Sequence, residues 1–218
     1  NLCKGLGYPI CPTSHPMKYA RTYGWFFLNI MEWLEETNYE YDYLINIDSD
    51  SLFAKKGYED FIISEMKGHE YMSPDFSIAT DAWKPGHTMK TVWHLWQPIF
   101  DMDHFYRCFG SQVFSRNFVK KILSFNKLEE MKRVMKQTED DVFALEEMLF
   151  ATLTKTLGVK AKAYPENVGK WMRDIPRYRK LEVIRAFRKN EDCYLLHPVR
   201  RSMNDPARAF IRSMIQSE

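Results

Sequence analysis

Residues 41–53 constrain the fold of this chain more than any other stretch of its sequence. The largely apolar run 43–47 predicts a strand that is covered on both faces, as in a largely parallel sheet. Two acidic residues, Asp48 and Asp50, follow this run directly. Because side chains alternate along an extended strand, we expect both carboxylates to point to the same side of it.

An acidic pair at the carboxyl end of a buried strand is typical of a metal site. Ligands of α/β proteins bind at this edge of the sheet, and hard divalent cations prefer carboxylate oxygens. We therefore predict that Asp48 and Asp50 hold Mn²⁺ or Mg²⁺, which would in turn bind a diphosphate. The alternative is two solvated aspartates in a turn, since Asp-x-Asp alone is a common pattern.

The composition is that of an ordinary globular chain. Of its 218 residues, 45% are hydrophobic and 28% are charged, which suits one domain with a substantial core. The net charge of +2 gives no field for binding nucleic acid, and no apolar run has the length of a membrane span. The lack of an Asn-x-Ser/Thr sequon favours the cytoplasm, with the Golgi lumen as the alternative if the chain is part of a longer protein.

Helical and strand-like patterns alternate along the chain. Apolar residues at helical spacing predict helices over residues 17–37, 57–66, 116–123, 127–136 and 138–157. Strands are predicted within residues 71–80, 107–115, 160–164 and 193–196. This alternation is typical of the α/β class. We therefore predict a single domain whose mostly parallel central sheet is flanked by helices.

Residues 81–106 lack a clean period and are rich in aromatic side chains, histidine and proline. We interpret this stretch as a loop excursion that lines a pocket. Exposed aromatic faces serve as platforms for ligands, so Trp83, Trp93 and Trp96 are candidate binding residues. The alternative is that these indoles belong to the core.

Two further segments resemble a known enzyme family. Residues 110–123, which begin Gly110-Ser111 and continue through Ser115-Arg116, are similar to a strand–helix motif of the core-2/I-branching and xylosyltransferase-like glycosyltransferases. Residues 145–153 resemble that family's Pro-Asp-Glu-Phe-Leu-Trp-Ala-Thr helix, in which the glutamate is the general base. The resemblance covers roughly residues 105–157 and implies a glycosyltransferase of the GT-A fold.

The resemblance implies that Glu147 is the catalytic base. A base must lie near the acceptor hydroxyl and take its proton as the anomeric carbon is attacked. On a helical wheel Glu146 lies within the apolar stripe, whereas Glu147 lies at its edge beside Phe143, where partial burial would raise its pKa. Spacing alone does not choose between the two glutamates; the resemblance chooses Glu147.

A second candidate base is Asp141. Residues 139–142 resemble the acidic-Asp-Val motif of other inverting GT-A transferases, in which an aspartate takes the proton. Thr138 and Asp141 also have the spacing of a capping box, which is a sufficient structural reason for the aspartate. We therefore rank Glu147 first and Asp141 second.

The chain departs from the core-2 pattern in one respect. The enzymes of that family work without Asp-x-Asp or a metal and balance the diphosphate with basic side chains near the C-terminus. This sequence contains both an Asp-x-Asp pair and basic side chains near the C-terminus. Residues 194–200 resemble the C-terminal histidine segment of metal-dependent GT-A enzymes, which makes His197 a predicted third ligand and favours Mn²⁺ over Mg²⁺. Arg200 and Arg201 are predicted to neutralise the diphosphate.

The nucleotide-binding half of the domain is short by GT-A standards. Residues 1–80 would form this half, and residues 81–218 the acceptor half with the C-terminal metal and phosphate segment. No buried strand is evident before Met17, so the first strand of the nucleotide half is expected to be abbreviated, missing or supplied by residues outside this sequence. Lys18 and Arg21 are candidates for contact with the anionic nucleotide; the alternative is solvated surface charge.

Together these features predict an enzyme. It would move a sugar from a nucleotide-sugar donor, with UDP as the expected nucleotide, to a hydroxyl of a glycan or other acceptor, with a metal and with inversion. Trp83, Trp93 and Trp96 would contact the acceptor. Two alternatives stay open: a metal-dependent nucleotidyltransferase or phosphohydrolase, which also uses paired carboxylates, and a non-catalytic carbohydrate-binding domain.

Overall fold

The computed structural model describes residues 9, 11–12, 23–189 and 192–216. Within them nine helices form: Tyr23–Glu36 (α1), Tyr58–Glu65 (α2), Lys84–Phe100 (α3), Arg116–Leu123 (α4), Leu128–Gln137 (α5), Leu145–Thr156 (α6), Glu166–Gly169 (α7), Lys180–Lys189 (α8) and Pro206–Gln216 (α9). The described part of the chain also contains eight strands: Tyr43–Ile45 (β1), Leu52–Phe53 (β2), Tyr71–Ser73 (β3), Ser77–Ile78 (β4), Tyr106–Arg107 (β5), Val113–Ser115 (β6), Ala161–Ala163 (β7) and Leu195–Leu196 (β8). The predicted mixture of helices and strands is confirmed. Among the described helices, none combines the length and the apolar character that crossing a bilayer requires.

Contacts between residues divide the chain into two compact units. The first unit comprises residues 1–43, 77–107 and 115–159, and the second comprises residues 44–76, 108–114 and 160–218. The predicted metal ligands Asp48, Asp50 and His197 all belong to the second unit. Their geometry can therefore be described within that unit alone.

Helix α6 is the centre of the first unit. It packs against α1, α3 and β5, and nine of its twelve residues are buried, so it is covered around most of its circumference. The Phe150 ring packs edge to face on Phe27, with ring centroids 6.0 Å apart. Thr152 Oγ1 accepts a hydrogen bond from Tyr106 N–H at 3.0 Å, which joins α6 to β5.

The prediction of a loop over residues 81–106 is wrong. Residues Lys84–Phe100 form the 17-residue helix α3, with Pro85 in its first turn, where the missing N–H leaves no helical hydrogen bond unmade. Met89, Trp96 and Phe100 are buried at helical spacing. The buried aromatic residues and the exposed polar residues of this stretch therefore lie on different sides of one helix. The unusual composition of the stretch concealed this helical periodicity.

The start of α6 also differs from the prediction. The expected helix start at Thr138 lies instead at Leu145, preceded by Ala144 with a left-handed backbone (φ 51°). Thr138 ends α5, where its Oγ1 donates a hydrogen bond to the Val134 carbonyl at 2.8 Å. The predicted capping box of Thr138 and Asp141 is therefore wrong, because the threonine hydroxyl is used by the preceding helix.

The second unit contains most of a mixed four-stranded sheet with the strand order β1-β6-β3-β7. Strand β3 pairs parallel with β7 and antiparallel with β6. The hydrogen bonds from Asn46 N–H to the Gln112 carbonyl and from Arg116 N–H to the Asp42 carbonyl have the crossed order of an antiparallel pair. The sheet is therefore not mostly parallel as predicted, because β6 runs against both of its neighbours.

A separate hydrophobic cluster fills the carboxyl-terminal part of the second unit. Its buried members include Ala54, Val183, Leu196, Val199 and Ile211. Helices α8 and α9 pack against each other here, with the rings of Phe187 and Phe210 edge to face at 5.8 Å. Strands β2 and β8 pair antiparallel beside this cluster, with Leu52 opposite Leu196. This short ladder positions the candidate site.

Candidate metal centre

Asp48 and Asp50 lie in a turn beyond the end of β1. The strand ends at Ile45, and a hydrogen bond from Ser51 N–H to the Asp48 carbonyl (2.9 Å) closes the turn. The residues of β1 are only half-buried and Ile47 is 37% exposed. The predicted strand is therefore present over Tyr43–Ile45, but the predictions that it extends to Ile47 and is covered on both faces are wrong. Among the described strands, β1 stands at the end of the sheet order, beside β6, which agrees with its partial exposure.

Pairing between β2 and β8 brings His197 to this acidic turn. The register of the antiparallel pair places the end of β8 beside the start of β2. A hydrogen bond from Val199 N–H to the Asp50 carbonyl (2.7 Å) extends the contact. As a result, His197 Nε2 lies 3.3 Å from Asp50 Oδ1 and 3.5 Å from Asp48 Oδ2.

The orientation of His197 is set by the backbone at Arg173. His197 Nδ1 lies 2.9 Å from the Arg173 carbonyl oxygen. A carbonyl oxygen only accepts hydrogen bonds, so Nδ1 carries the proton and, in the neutral ring, the lone pair of Nε2 faces the two aspartates. The Phe109 ring packs edge-on against the imidazole at 5.3 Å. Metal-binding histidines are commonly held through their other nitrogen in this way.

Asp48, Asp50 and His197 form a ligand set that fits a divalent cation. One atom of each, two carboxylate oxygens and one imidazole nitrogen, lie within 4.8 Å of one another. Carboxylate with imidazole suits a cation such as Mn²⁺, which takes further oxygen ligands from water or phosphate. The structure thus brings together all three residues that the sequence analysis named as metal ligands.

Electrostatics within the cluster favours a bound cation. Burial raises the pKa of Asp48, and the nearby carboxylate of Asp50 raises it further. The imidazole of His197 and the guanidinium of Arg201 act in the opposite direction. Two carboxylates held this close repel each other when both are charged. A divalent cation between them would remove that repulsion.

Arg201 contacts side chains of the acidic turn. Its Nη2 is 3.3 Å from Asp50 Oδ1, and its Nε donates a hydrogen bond to Ser49 Oγ at 2.8 Å. Arg200 was predicted together with it, and its side chain is exposed to solvent. Of the two arginines, the structure therefore places Arg201 in contact with the metal-ligand residues.

Arg208, from α9, was not among the predicted site residues. Its Nη2 donates hydrogen bonds to the carbonyls of Ser49 (3.2 Å) and Ser51 (3.1 Å), and its Nε donates to the Arg200 carbonyl at 2.7 Å. It thus ties the acidic turn to the segment that follows His197. The sequence signal was the arginine-rich tail after Pro198, which contains Arg200, Arg201, Arg208 and Arg212. Composition alone does not say which of these arginines makes the contacts.

The two candidate bases belong to the first unit. Glu147 lies half-buried in the first turn of α6, and its neighbour Glu146 is buried. This agrees with the helical wheel, which placed Glu146 in the apolar stripe and Glu147 at its edge. Asp141 is exposed in the turn between α5 and α6. Their roles as bases stay predictions.

The three candidate tryptophans differ in exposure. Trp96 is completely buried and stacks on Phe100 at 5.8 Å, so it is a core residue, as in the alternative stated for this stretch. Trp93 is half-buried and also stacks on Phe100, at 5.9 Å. Trp83 is half-buried at the N-cap of α3, with the Arg107 guanidinium 5.0 Å from its ring. Acceptor binding by Trp83 and Trp93 stays a prediction.

The predicted nucleotide contacts Lys18 and Arg21 lie outside the described residues. The same holds for the first part of the helix predicted over residues 17–37, of which the described portion is α1. The nucleotide role of both side chains therefore stays a prediction.

Comparison with known proteins does not assign the chain to a family. No protein-family model matches its sequence, and no curated protein is significantly similar to it. An inference of function therefore rests on the geometry of the candidate metal centre and on the resemblance of the sequence motifs.

Proposed function

We propose that the protein is a metal-dependent glycosyltransferase of GT-A type. It would transfer a sugar from a nucleotide-sugar donor, with UDP as the expected nucleotide, to a hydroxyl of a glycan or other acceptor. The observation that carries the proposal is the convergence of Asp48, Asp50 and His197 beside Arg201. His197 is far from the aspartates in sequence, so proximity along the chain does not account for their meeting.

The reaction requires positive charge beside the diphosphate that leaves the sugar. A divalent cation held by Asp48, Asp50 and His197 would supply most of it. Arg201 contacts Asp50 with a side chain that is 56% exposed, so its guanidinium can also reach a ligand from solvent. Arginine binds phosphate oxygens through paired hydrogen bonds. We therefore assign Arg201 the role of a second countercharge.

The GT-A fold is part of the proposal. In its support, the acidic turn follows the carboxyl end of a sheet strand, the edge at which α/β proteins bind ligands. The resemblance of residues 105–157 to a glycosyltransferase family adds support of a different kind. From that resemblance Glu147 would accept the proton of the attacking hydroxyl, which gives inversion, and Asp141 is the second candidate for this role.

The alternatives differ in what they release. A transferase releases UDP from a UDP-sugar, a nucleotidyltransferase forms or consumes pyrophosphate, and a phosphohydrolase releases phosphate. A carbohydrate-binding domain releases none of these. Product analysis therefore separates the four functions without knowledge of the natural acceptor, because many transferases hydrolyse their donor slowly when only water is present.

The test combines product analysis with binding. We expect UDP release from a UDP-sugar in the presence of Mn²⁺ and none in excess chelator. UDP should raise the thermal unfolding midpoint only when Mn²⁺ is present, because binding to the folded state stabilises it. Asp48→Asn, Asp50→Asn and His197→Ala should each lose this Mn²⁺-dependent shift.

Asp60→Asn is the matched control, since Asp60 is an exposed aspartate in the first turn of α2. It should keep the full shift. A wild-type protein that binds neither Mn²⁺ nor UDP would exclude the proposal. Release of pyrophosphate or phosphate instead of UDP would favour the second enzyme class.

A further inference from the structure

Two neighbouring residues of the segment before β6 lie against the candidate metal centre. The ring of Phe109 packs edge-on against the His197 imidazole at 5.3 Å, and a Cβ atom at Gly110 would lie 2.7 Å from Asp48 Oδ2. This segment therefore forms a wall against two of the three proposed ligands. Residues around metal ligands fix the orientation of those ligands and so tune the affinity for the metal.

The next residue of the segment, Ser111, has a left-handed backbone with φ 61°. This conformation is unfavourable for serine and persists where the surrounding structure imposes it. Ser111 is buried, and its carbonyl oxygen accepts a hydrogen bond from the Tyr164 hydroxyl at 2.9 Å. The tyrosine thus holds the backbone at the residue where its conformation is least favourable.

Strand β7 determines where the Tyr164 hydroxyl lies. Tyr164 follows this strand directly, and its N–H donates a hydrogen bond to the Ser73 carbonyl of β3 at 3.1 Å. The ring of Tyr164 is buried and stacks on Phe61 at 5.8 Å. Because the backbone and the ring are both held, the hydroxyl stays at the Ser111 carbonyl as long as this packing is intact.

A second buried tyrosine, Tyr58, extends the hydrogen bonding. Its hydroxyl oxygen lies 2.9 Å from that of Tyr164. A phenol has one proton, and the proton of Tyr164 goes to the Ser111 carbonyl, which only accepts, so Tyr58 donates to Tyr164. Burial raises the pKa of Tyr58 to about 12 and the pKa of Tyr164 well above its ordinary value. Both hydroxyls therefore keep their protons at neutral pH, and each hydrogen bond strengthens the next.

We propose that Tyr164 is a positioning residue of the metal centre, which holds Gly110 against Asp48 through the carbonyl of Ser111. The inference rests on the proposed metal site and adds the residue that supports its wall. Without the hydroxyl, the Ser111 backbone loses this hydrogen bond and can relax from its left-handed conformation. Gly110 then moves away from the Asp48 carboxylate, which becomes free to rotate out of the position that binds the metal.

The first experiment is Tyr164→Phe, which removes the hydroxyl and keeps the ring. Calorimetric titration with Mn²⁺ should show an affinity roughly tenfold lower than that of the wild type, as expected for a residue that supports a metal ligand. The electron paramagnetic resonance spectrum of bound Mn²⁺ should also change at saturation, because it reports the arrangement of the ligands. A purely structural role would lower the free energy of unfolding in chelator but leave this affinity and this spectrum as they are.

Tyr194→Phe is the matched control. The Tyr194 ring stacks on Phe61 at 5.4 Å, on which the Tyr164 ring also stacks, but its hydroxyl is not part of the hydrogen bonds that run from Tyr58 through Tyr164 to Ser111. The affinity for Mn²⁺ and the spectrum should not change. Tyr58→Phe should have a smaller effect than Tyr164→Phe, since Tyr164 keeps its own proton for the Ser111 carbonyl.

A double-mutant cycle tests whether Tyr164 acts through Gly110. Gly110→Ala by itself displaces the Asp48 carboxylate or the segment that carries Gly110. Adding Tyr164→Phe to that variant should therefore lower the Mn²⁺ affinity by less than about threefold, because residues that act through one contact are not additive.

Two results would overturn the proposal. The first is an unchanged Mn²⁺ affinity in Tyr164→Phe, and the second is a fully additive loss in the double variant, which would show that the hydroxyl acts by another route. Asp48→Asn distinguishes either result from failure of the metal site. If the wild type binds Mn²⁺ and Asp48→Asn does not, the site stands and only the role of Tyr164 is rejected. If the wild type does not bind Mn²⁺, both proposals are wrong.

Discussion

A Cβ atom added to Gly110 would lie 2.7 Å from Asp48 Oδ2. A side-chain Cβ atom is essentially never found this close to another non-bonded atom. Gly110→Ala must therefore displace the carboxylate or the loop that carries Gly110. We expect the affinity for Mn²⁺ to fall by roughly 10–100-fold, the usual effect of disturbing the residues around metal ligands. Calorimetric titration with Mn²⁺ measures it.

Gly169→Ala is the matched control for this change. A Cβ at Gly169 would make an ordinary contact, 3.4 Å from Tyr164 Cβ, so the affinity for Mn²⁺ should not change. If Gly110→Ala folds and binds Mn²⁺ as tightly as the wild type, Asp48 is not a metal ligand.

Arg201→Ala should weaken UDP binding in the presence of Mn²⁺. A charged hydrogen-bonded contact to phosphate contributes about 1.5–3 kcal/mol, which corresponds to a loss of roughly tenfold or more in affinity. Arg200→Ala provides the comparison, because its exposed neighbouring side chain has the same chemistry. Titration with UDP should show no effect for Arg200→Ala. The opposite result would assign the diphosphate contact to Arg200.

Asp48→Asn should not destabilise the protein in the absence of metal. Burial raises the pKa of Asp48 above its ordinary value of 3.8, so the folded state binds more protons than the unfolded state in the interval between the two pKa values. The free energy of unfolding of the wild type therefore falls as the pH rises through that interval. The free energy of unfolding of Asp48→Asn does not fall in this way, because asparagine has no group that titrates.

The measurement is urea denaturation in chelator at several pH values. Near pH 7 the variant should be at least as stable as the wild type, and its advantage should shrink as the pH is lowered through the interval. Saturating Mn²⁺ should reverse the order, because only the wild type binds it. A variant that is much less stable than the wild type in chelator would contradict the predicted cost of the buried charge.

Glu147→Gln keeps the shape of the side chain and removes its ability to accept a proton. If Glu147 is the base, transfer should fall by roughly 10²–10⁴-fold while UDP affinity stays unchanged. The wild-type rate should also fall as the pH drops below the pKa of this carboxylate, and this acidic limb should be missing from the pH profile of the variant.

Asp141→Asn is the comparison for the base. Asp141 is exposed and α6 begins only at Leu145, so the change should alter stability by no more than about 0.5 kcal/mol and leave turnover intact. If Asp141→Asn removes activity and Glu147→Gln does not, the base is Asp141. If neither does, the inverting mechanism is wrong.

Trp96→Ala should destabilise the first unit, because it removes a completely buried indole that stacks on Phe100. Loss of a buried tryptophan costs about 3–5 kcal/mol, which urea denaturation would detect. Trp83→Ala should leave the fold intact, since Trp83 is half-buried, and should raise the acceptor KM at constant donor KM. Equal destabilisation by both changes would make Trp83 a core residue as well.

Local sequence signals were sufficient for several elements. The helix predicted over residues 116–123 is α4, Arg116–Leu123. The residue directly before it caps its N-terminus, since Ser115 Oγ accepts a hydrogen bond from Phe118 N–H at 3.1 Å. The start of α6 was mispredicted from a signal of the same kind. Thr138 has the right spacing to cap a helix, but its hydroxyl bonds to the carbonyl of Val134 in the helix before it.

By itself, the sequence determined the chemistry of the candidate centre: two acidic residues after a strand, a histidine and two arginines near the C-terminus. Only the tertiary structure decided that Asp48, Asp50 and His197 meet. Pairing of β2 with β8 brings them together. The register between these distant segments depends on the packing of the whole unit, and the local periodicity of the sequence carries no information about it. The choice of Arg201 over Arg200 has the same origin, because two neighbours of equal chemistry differ only in where the folded backbone directs their side chains.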